Sequence, residues 1–109
     1  MYSRLRYQDV MTDTTLADPM EAAASEAAEM LKALSNPARL RLLCALVPSD
    51  KSVGELEVAL GASQSYVSGQ LARLRAEGLV ACEKDGRIKR YRLSDPRVRP
   101  VLERLYDVF

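Results

Sequence analysis

Hydrophobic residues recur at helical spacing along the chain from residue 19 onward. In an alanine-rich run they lie four or three residues apart, which predicts a first helix beginning at Pro19. The positions are Met20, Ala24, Ala27, Leu31 and Leu34. A second helix is predicted to begin at Asn36 and Pro37, because asparagine caps free backbone amides and proline is tolerated in the first turn. It should run to about Val47, and its apolar residues cover most of its circumference, so we expect a buried central helix.

Two further helices are predicted on either side of a short turn. Ser52 and Glu55 fit a capping box, and Gly61 is placed to end this third helix. Ser63 is placed to cap the fourth helix, which Gly78 should end. The apolar stripe of the fourth helix consists of Val67, Leu71 and Leu74. Two helices joined by a tight turn that contains glycine are typical of a helix-turn-helix.

The remainder of the chain predicts a hairpin and a last helix. The segments "LVACEK" and "IKRYRL" are joined by Asp85-Gly86, a dipeptide typical of hairpin turns. After Pro96, helical spacing returns. Its apolar positions are Val98, Val101, Leu102, Leu105 and Phe109. The predicted fold class is mainly α with a small β-hairpin, in the order of four helices, two strands and one helix.

Length and composition bound the domain count and the class of protein. The 109 residues, 48% hydrophobic and 28% charged, fit one compact domain. We expect that domain over residues 19–109 and a flexible arm over residues 1–18, which lack a sustained apolar period. No stretch approaches the roughly 18 apolar residues of a membrane span, and no apolar signal core is found at the N-terminus. We therefore expect a cytoplasmic protein with no membrane partner.

The supply of reactive side chains argues against enzyme and metal chemistry. The chain has no histidine and two cysteines, too few for a disulfide scaffold. A nucleophile elbow, a phosphate-cradling glycine loop and paired carboxylates are also missing from the sequence. We expect neither an enzyme nor a metal or other cofactor.

Charge is distributed unevenly although the net charge is only +1. Residues 1–31 hold two arginines against six acidic residues, whereas residues 63–94 hold seven basic residues against three acidic ones. A localised basic segment favours a surface for a polyanion. On charge alone, an ordinary solvated surface explains the segment equally well.

The polar residues of the fourth helix are suited to contact nucleic acid. Away from its apolar stripe the helix carries Gln64, Ser65, Tyr66, Ser68, Gly69, Gln70 and Arg73. Hydroxyl and amide groups reach phosphates and base edges, glutamine can bond adenine bidentately, and glycine permits close approach. The hairpin adds basic residues that would lie beside this helix, against phosphates or in the minor groove. They are Lys84, Arg87, Lys89 and Arg90. The alternative is a solvated helix face and a hairpin that only caps the fold.

Three segments together resemble the ArsR/SmtB family of winged-helix repressors over residues 20–109. They are "LSNPARLRLLCALV", "SVGELEVALGASQSYVSGQLARLRAEGLV" and "KDGRIKRYRL". The resemblance implies a winged helix-turn-helix and a homodimer built from the first and last helices. It also implies that two recognition helices enter successive major grooves of a near-palindromic operator in double-stranded DNA. Alternatively, the apolar stripes of the first and last helices complete the core of a monomer.

The resemblance also constrains what the protein would sense. The arsenic-type site of the family needs clustered cysteines before the recognition helix, where "SVGELE" has none, and the zinc-type site needs histidines. The residues around Cys44 are similar to the branch that senses sulfide, persulfide or oxidants through one cysteine in the second helix and another near the end of the last. "LERLYDVF" resembles that ending but lacks the second cysteine, and a polysulfide bridge needs two thiols.

Two interpretations of Cys44 therefore remain. As a thiol sensor, it would release DNA after modification by a reactive sulfur species or an oxidant, and Arg41, three residues earlier, could favour its thiolate. As an inert core cysteine, it would leave a family regulator without a cysteine switch. Cys82 is expected to be structural, at a half-buried position of the sheet. A winged helix that docks a protein partner is a further alternative, which the basic wing disfavours.

Overall fold

The computed structural model describes residues 19–109, and the arm predicted at residues 1–18 lies outside this range. The chain divides after Ala33 into two compact units. The described part of the first unit is most of helix α1 (Pro19–Leu34). Glu21 in its first turn and Lys32 in its last turn complement the helix dipole. The first predicted helix is thus confirmed in its position.

The second unit holds four helices and three strands. They are α2 (Pro37–Ala45), β1 (Lys51–Ser52), α3 (Val53–Leu60), α4 (Gln64–Ala76), β2 (Val80–Asp85), β3 (Ile88–Leu93) and α5 (Val98–Val108). The predicted helices and hairpin are confirmed. The structure adds the short strand β1 to the predicted order, which the sequence did not indicate because two residues are too short to show strand alternation. The second helix, predicted to run to about Val47, ends two residues earlier at Ala45, with Leu46 as its C-cap.

Local capping explains where the central helices begin and end. Asn36 Oδ1 accepts hydrogen bonds from the backbone amides of Ala38 (2.9 Å) and Arg39 (3.2 Å), so it caps α2. At α3, Ser52 Oγ accepts from the Glu55 amide at 3.1 Å, and Glu55 Oε1 accepts from the Ser52 amide at 2.8 Å. This is the predicted capping box.

The turn between α3 and α4 depends on a backbone conformation that favours glycine. Gly61 caps α3 with φ at +61°, a left-handed conformation that costs energy for residues with a Cβ. Ser63 then caps α4 by accepting a hydrogen bond from the Tyr66 amide at 3.2 Å. The turn is therefore tight, and it sets the direction in which α4 leaves α3.

One apolar core supports α4 and the sheet. Its fully buried side chains come from the four helices of the second unit and from the C-cap of α2, Leu46: Leu42, Leu43, Leu46, Leu56, Leu71, Leu74, Leu102, Val67 and Val98. Burying each such side chain contributes about 1.5–3 kcal/mol. The set includes the whole predicted stripe of α4, but from α2, which was predicted to be buried, it includes only Leu42 and Leu43. Among residues 19–109 no charged or polar residue is fully buried.

The sheet is antiparallel with the strand order β1-β3-β2. Strands β2 and β3 form the predicted hairpin, and Gly86 in its turn has φ at +66°. Strand β1 pairs Ser52 with Arg90 and so ties the hairpin to the start of α3. A helix-turn-helix followed by a hairpin of this kind is a winged helix-turn-helix. None of the helices described is long and apolar enough to cross a membrane.

Candidate nucleic-acid interface

The outer face of α4 carries most of the polar residues that the sequence indicated. Gln64, Ser65, Tyr66, Gly69 and Arg73 are exposed, whereas Ser68 and Gln70 are half-buried. A Cβ built on Gly69 would meet no atom of the described residues within 4 Å. Ala72 and Ala76, which sequence reasoning did not single out, continue the exposed strip that begins at Ser65 and Gly69. Their helical spacing from Gly69 was the available signal. This face is smooth enough for a large partner to approach closely.

Gln70 is oriented differently from what a base contact requires. Its Oε1 atom is shielded from solvent and accepts no hydrogen bond from the residues described. Bidentate bonding to adenine uses both the oxygen and the nitrogen of the amide. The contact predicted for Gln70 thus requires the side chain to rotate outward.

Two arginines on the wing are held by carboxylates. Arg90 lies 3.0 Å from Glu55 Oε1 and 3.6 Å from Asp85 Oδ2. Arg92 lies 3.1 Å from Glu83 Oε1. Glu55 therefore accepts the hydrogen bond of the capping box at α3 and also forms an ion pair with Arg90 of the wing. The hydrogen bonds from Ser52 and the charge of Arg90 lower the pKa of the Glu55 carboxyl, the Ser52 backbone bond being the largest cause.

The other predicted wing residues are exposed and uncompensated. Lys84, Arg87 and Lys89 make no hydrogen bond or ion pair within residues 19–109. Lys84 and Lys89 lie directly opposite each other in the register of β2 and β3. The structure thus brings these three cations together and binds Arg90 to neighbouring carboxylates.

An open cleft of about 360 Å³ lies between α4 and β3. It is lined by Ser68, Leu71, Ala72, Arg75, Ala76 and Tyr91. Tyr91 and Arg75 were not among the predicted site residues. Burial, followed by a hydrogen bond with Cys82, raises the pKa of Tyr91, and the charge of Arg75 acts in the opposite direction.

Cys44 is a free, half-buried thiol on α2. Burial raises its pKa, and a hydrogen bond with Tyr106 on α5 partly offsets this. The support suggested for Arg41 is not found, because its Nη2 atom donates instead to the carbonyl oxygen of Leu60 at 3.4 Å. Tyr106 could not be recognised from the sequence, since its approach to Cys44 depends on how α5 packs.

Cys82 and the acidic residues are the remaining side chains that could bind a metal ion. Cys82 is a free, half-buried residue on β2, opposite Tyr91, as its sequence position indicated. Within residues 19–109, no group of three or more Cys, Asp or Glu residues is placed to hold a metal ion.

A tight helix-turn-helix with a basic wing beside its second helix defines the winged-helix class. Residues 36–81 match the family described as bacterial regulatory protein, arsR family. The chain is 40% identical over 92 residues to the biofilm growth-associated repressor of Xylella fastidiosa, covering 84% of this chain and 81% of that protein. It is 40% identical over 90 residues to the transcriptional activator HlyU of Vibrio cholerae, covering 83% of each chain.

A solved structure supports the same assignment. The transcriptional repressor BigR from Xylella fastidiosa superposes with a TM-score of 0.78 at 41% identity, covering 83% of this chain and 92% of that one. The chain belongs to the arsR family of bacterial regulatory proteins. It is a transcriptional regulator of that family, which confirms the resemblance and the fold inferred from the sequence.

Proposed function

We propose that this regulator is a repressor that binds a near-palindromic operator in double-stranded DNA as a homodimer. The observation that carries the proposal is the exposed polar face of α4 beside a wing with three uncompensated cations. A helix of this kind fits the major groove, and the wing can reach the adjoining phosphates or minor groove. A regulator of bacterial genes works where the DNA lies, so we place the protein in the cytoplasm.

The proposed contacts divide between base edges and backbone. On α4 they are Gln64, Ser65, Tyr66, Ser68, Gln70 and Arg73, and on the wing Lys84, Arg87, Lys89 and Arg90. Amide and hydroxyl groups at the start of α4 are suited to base edges, whereas lysine and arginine supply charge to phosphates. Exposure supports every member except Ser68, Gln70 and Arg90, which are half-buried.

A homodimer would bury apolar side chains that the monomer leaves in solvent. On α1, Leu31 is 61% exposed. On α5, Tyr106 is 63%, Val108 69% and Phe109 98% exposed. These residues support an interface that uses the first and last helices. Such a dimer presents two copies of α4, as a near-palindromic operator requires.

Release from DNA is proposed to follow modification of Cys44. Its thiolate would attack a sulfur atom of a polysulfide, so that a new S–S bond forms while an S–S bond of the polysulfide breaks and the shortened polysulfide leaves as an anion. A peroxide would instead transfer one oxygen atom to the thiolate: the S–O bond forms as the O–O bond breaks, the second oxygen leaves as hydroxide or an alkoxide, and the cysteine becomes a sulfenic acid. Because the thiol is only half-buried and faces Tyr106, the added atom falls where α2 meets α5.

Contacts on both sides of α2 support transmission of such a change. Arg99 on α5 donates from Nη1 to the carbonyl oxygen of Val47, just beyond α2. At the other end, Arg39 of α2 pairs with Glu77, the residue that caps α4, at 2.5 Å. A shift of α2 would therefore act on the proposed dimer helix and on the recognition helix together.

A family regulator without a cysteine switch is the second candidate. One observation favours it: burial is the largest influence on Cys44 and raises its pKa, which lowers the thiolate fraction near neutral pH. Operator binding would then be unaffected by sulfur species.

The test is selection of duplexes from a randomised pool, followed by affinity measurement with and without polysulfide. We expect enrichment of an inverted repeat, weaker binding after polysulfide treatment, and retained binding in treated Cys44→Ser protein. Gln70→Ala should relax discrimination among the enriched sequences. Failure to enrich any duplex contradicts DNA recognition, whereas normal release of Cys44→Ser contradicts only the thiol switch.

A further inference from the structure

The two faces of the wing differ in charge, and this difference indicates where a DNA strand would lie. We infer that the phosphate backbone of the bound duplex runs along the wing face that carries Lys84 and Lys89, in the cleft between β3 and α4. The opposite face, which carries Arg90 and Arg92, would then hold the wing in place without touching DNA, and on this inference Arg90 supports the wing instead of serving as one of the DNA contacts proposed above. This inference rests on the proposed DNA-binding function and assigns different roles to the basic residues of that site.

Strand alternation separates the two faces. Side chains of successive strand residues point to opposite sides, so Arg90 and Arg92 share one face of β3. The register places Glu83 opposite Arg90, and Asp85 lies next along that face of β2. Arg90 pairs with Glu55 and Asp85, and Arg92 pairs with Glu83. The carboxylates neutralise both arginines, so this face has no surplus positive charge to attract a phosphate.

The face that carries Lys84 and Lys89 has positive charge that no carboxylate of the described residues neutralises. Lys84 and Lys89 are directly opposite each other, exposed, and without a carboxylate partner in the described part of the chain. Like charges directly opposite across two strands destabilise a hairpin. A partner that supplies negative charge between the two lysines removes this repulsion, and a phosphate backbone does so at regular intervals.

The same face leads into the cleft beside α4. Tyr91 lies two residues after Lys89 on β3 and lines the cleft, facing Ser68 and Arg75 of the helix. Hydroxyl and guanidinium groups are common ligands of DNA phosphates. The small side chains of Ala72 and Ala76 complete the helix wall and leave the opening unobstructed. A strand that follows Lys84 and Lys89 toward α4 would thus meet a further cation, Arg75.

The test compares two substitutions that each remove one positive charge from β3, on opposite faces. Lys89→Gln and the matched control Arg92→Gln are titrated with a duplex selected by the wild-type protein, over a range of salt concentrations. We expect Lys89→Gln to reduce the slope of log affinity against log salt by about 0.9, the value for one lost phosphate contact. Arg92→Gln should leave the slope unchanged.

Thermal unfolding of the free proteins provides an independent measurement. Lys89→Gln should keep or raise the melting temperature, because it removes repulsion from Lys84, whereas Arg92→Gln should lower it. Equal loss of slope in both variants, or loss only in Arg92→Gln, would overturn the inference. If wild-type protein selects no duplex and binds none, the proposed function itself fails before the two faces are compared.

Discussion

At the scale of single residues, burial and one hydrogen bond act in opposite directions on the pKa of Cys44. Burial disfavours the thiolate and is the larger influence, while the hydrogen bond with Tyr106 favours it. Because the thiolate is the nucleophile, Tyr106 is the residue that would tune the reaction rate. A partly exposed tyrosine on α5 therefore links the reactivity of the thiol to the packing of a helix proposed to form the dimer interface.

We expect Tyr106→Phe to slow alkylation of Cys44 at any pH below the pKa of the thiol. Loss of one hydrogen bond, worth about 0.5–1.5 kcal/mol, raises the pKa further and lowers the rate by about two- to tenfold. The measurement is the rate of iodoacetamide labelling against pH in a Cys82→Ser background, so that only Cys44 reacts. In the parent protein the rate should rise through a pH above the ordinary thiol range. An unchanged or faster rate in Tyr106→Phe would remove the tyrosine from the account.

Residue types at the candidate site could be predicted, but their pairing could not. The polar face of α4 and the cations of the wing follow from periodicity and strand alternation, which are local. The partners of Arg90 and Arg41 depend on which segments meet in the folded chain. Arg90 reaches Glu55 because β1 pairs with β3, and Arg41 reaches the carbonyl of Leu60 at the end of α3. Neither contact is encoded by neighbouring sequence.

At the scale of elements, helix α4 combines a packed inner face with a smooth outer one. Val67, Leu71 and Leu74 fix the inner face in the core, while Gly69 leaves open space outside. Glycine within a helix lowers stability by roughly 0.5–1 kcal/mol relative to alanine, and no contact among residues 19–109 requires it there. The proposed binding of DNA against this face would give the glycine a role, because it lets DNA approach α4 closely.

Gly69→Ala should therefore stabilise the protein and weaken its binding to DNA. We expect a gain of about 0.5–1 kcal/mol in the free energy of unfolding, measured by urea denaturation, with reduced affinity for a selected duplex. Gly61→Ala provides the contrast, because φ at +61° should make alanine destabilising by roughly 1–2 kcal/mol. Wild-type affinity in Gly69→Ala would show that DNA does not approach this position.

Helices could be predicted where their capping residues signal an end within a few positions. Strand β1 could not, because it is defined only by its pairing with β3. Asn36, Ser52 and Gly61 signal helix ends through bonds within a few residues, and the structure confirms each of them. Strand β1 has two residues and exists only because β3 lies beside it. The end of α2 was placed too late because Leu46 and Val47 continue its apolar pattern beyond the last helical turn.

At the scale of the whole molecule, the proposed dimer would connect the proposed thiol switch at Cys44 to the spacing of the two α4 helices. Leu31→Glu places a charge on the exposed apolar surface of α1 and should shift the protein toward monomer. Val58→Glu is the matched control, since Val58 on α3 is 85% exposed and lies outside the proposed interface. Sedimentation equilibrium distinguishes them. A dimer constant that is unchanged in Leu31→Glu, or equally weakened in both variants, would argue against an interface through α1.

The central claim is that two copies of α4, each flanked by a wing, contact one operator. Hydroxyl-radical footprinting of the wild-type protein on a selected duplex tests it most directly. We expect two equivalent protected segments with centres about 10 base pairs apart, or a whole multiple of one helical turn. A single protected segment, or uniform weak protection along the duplex, would contradict the account.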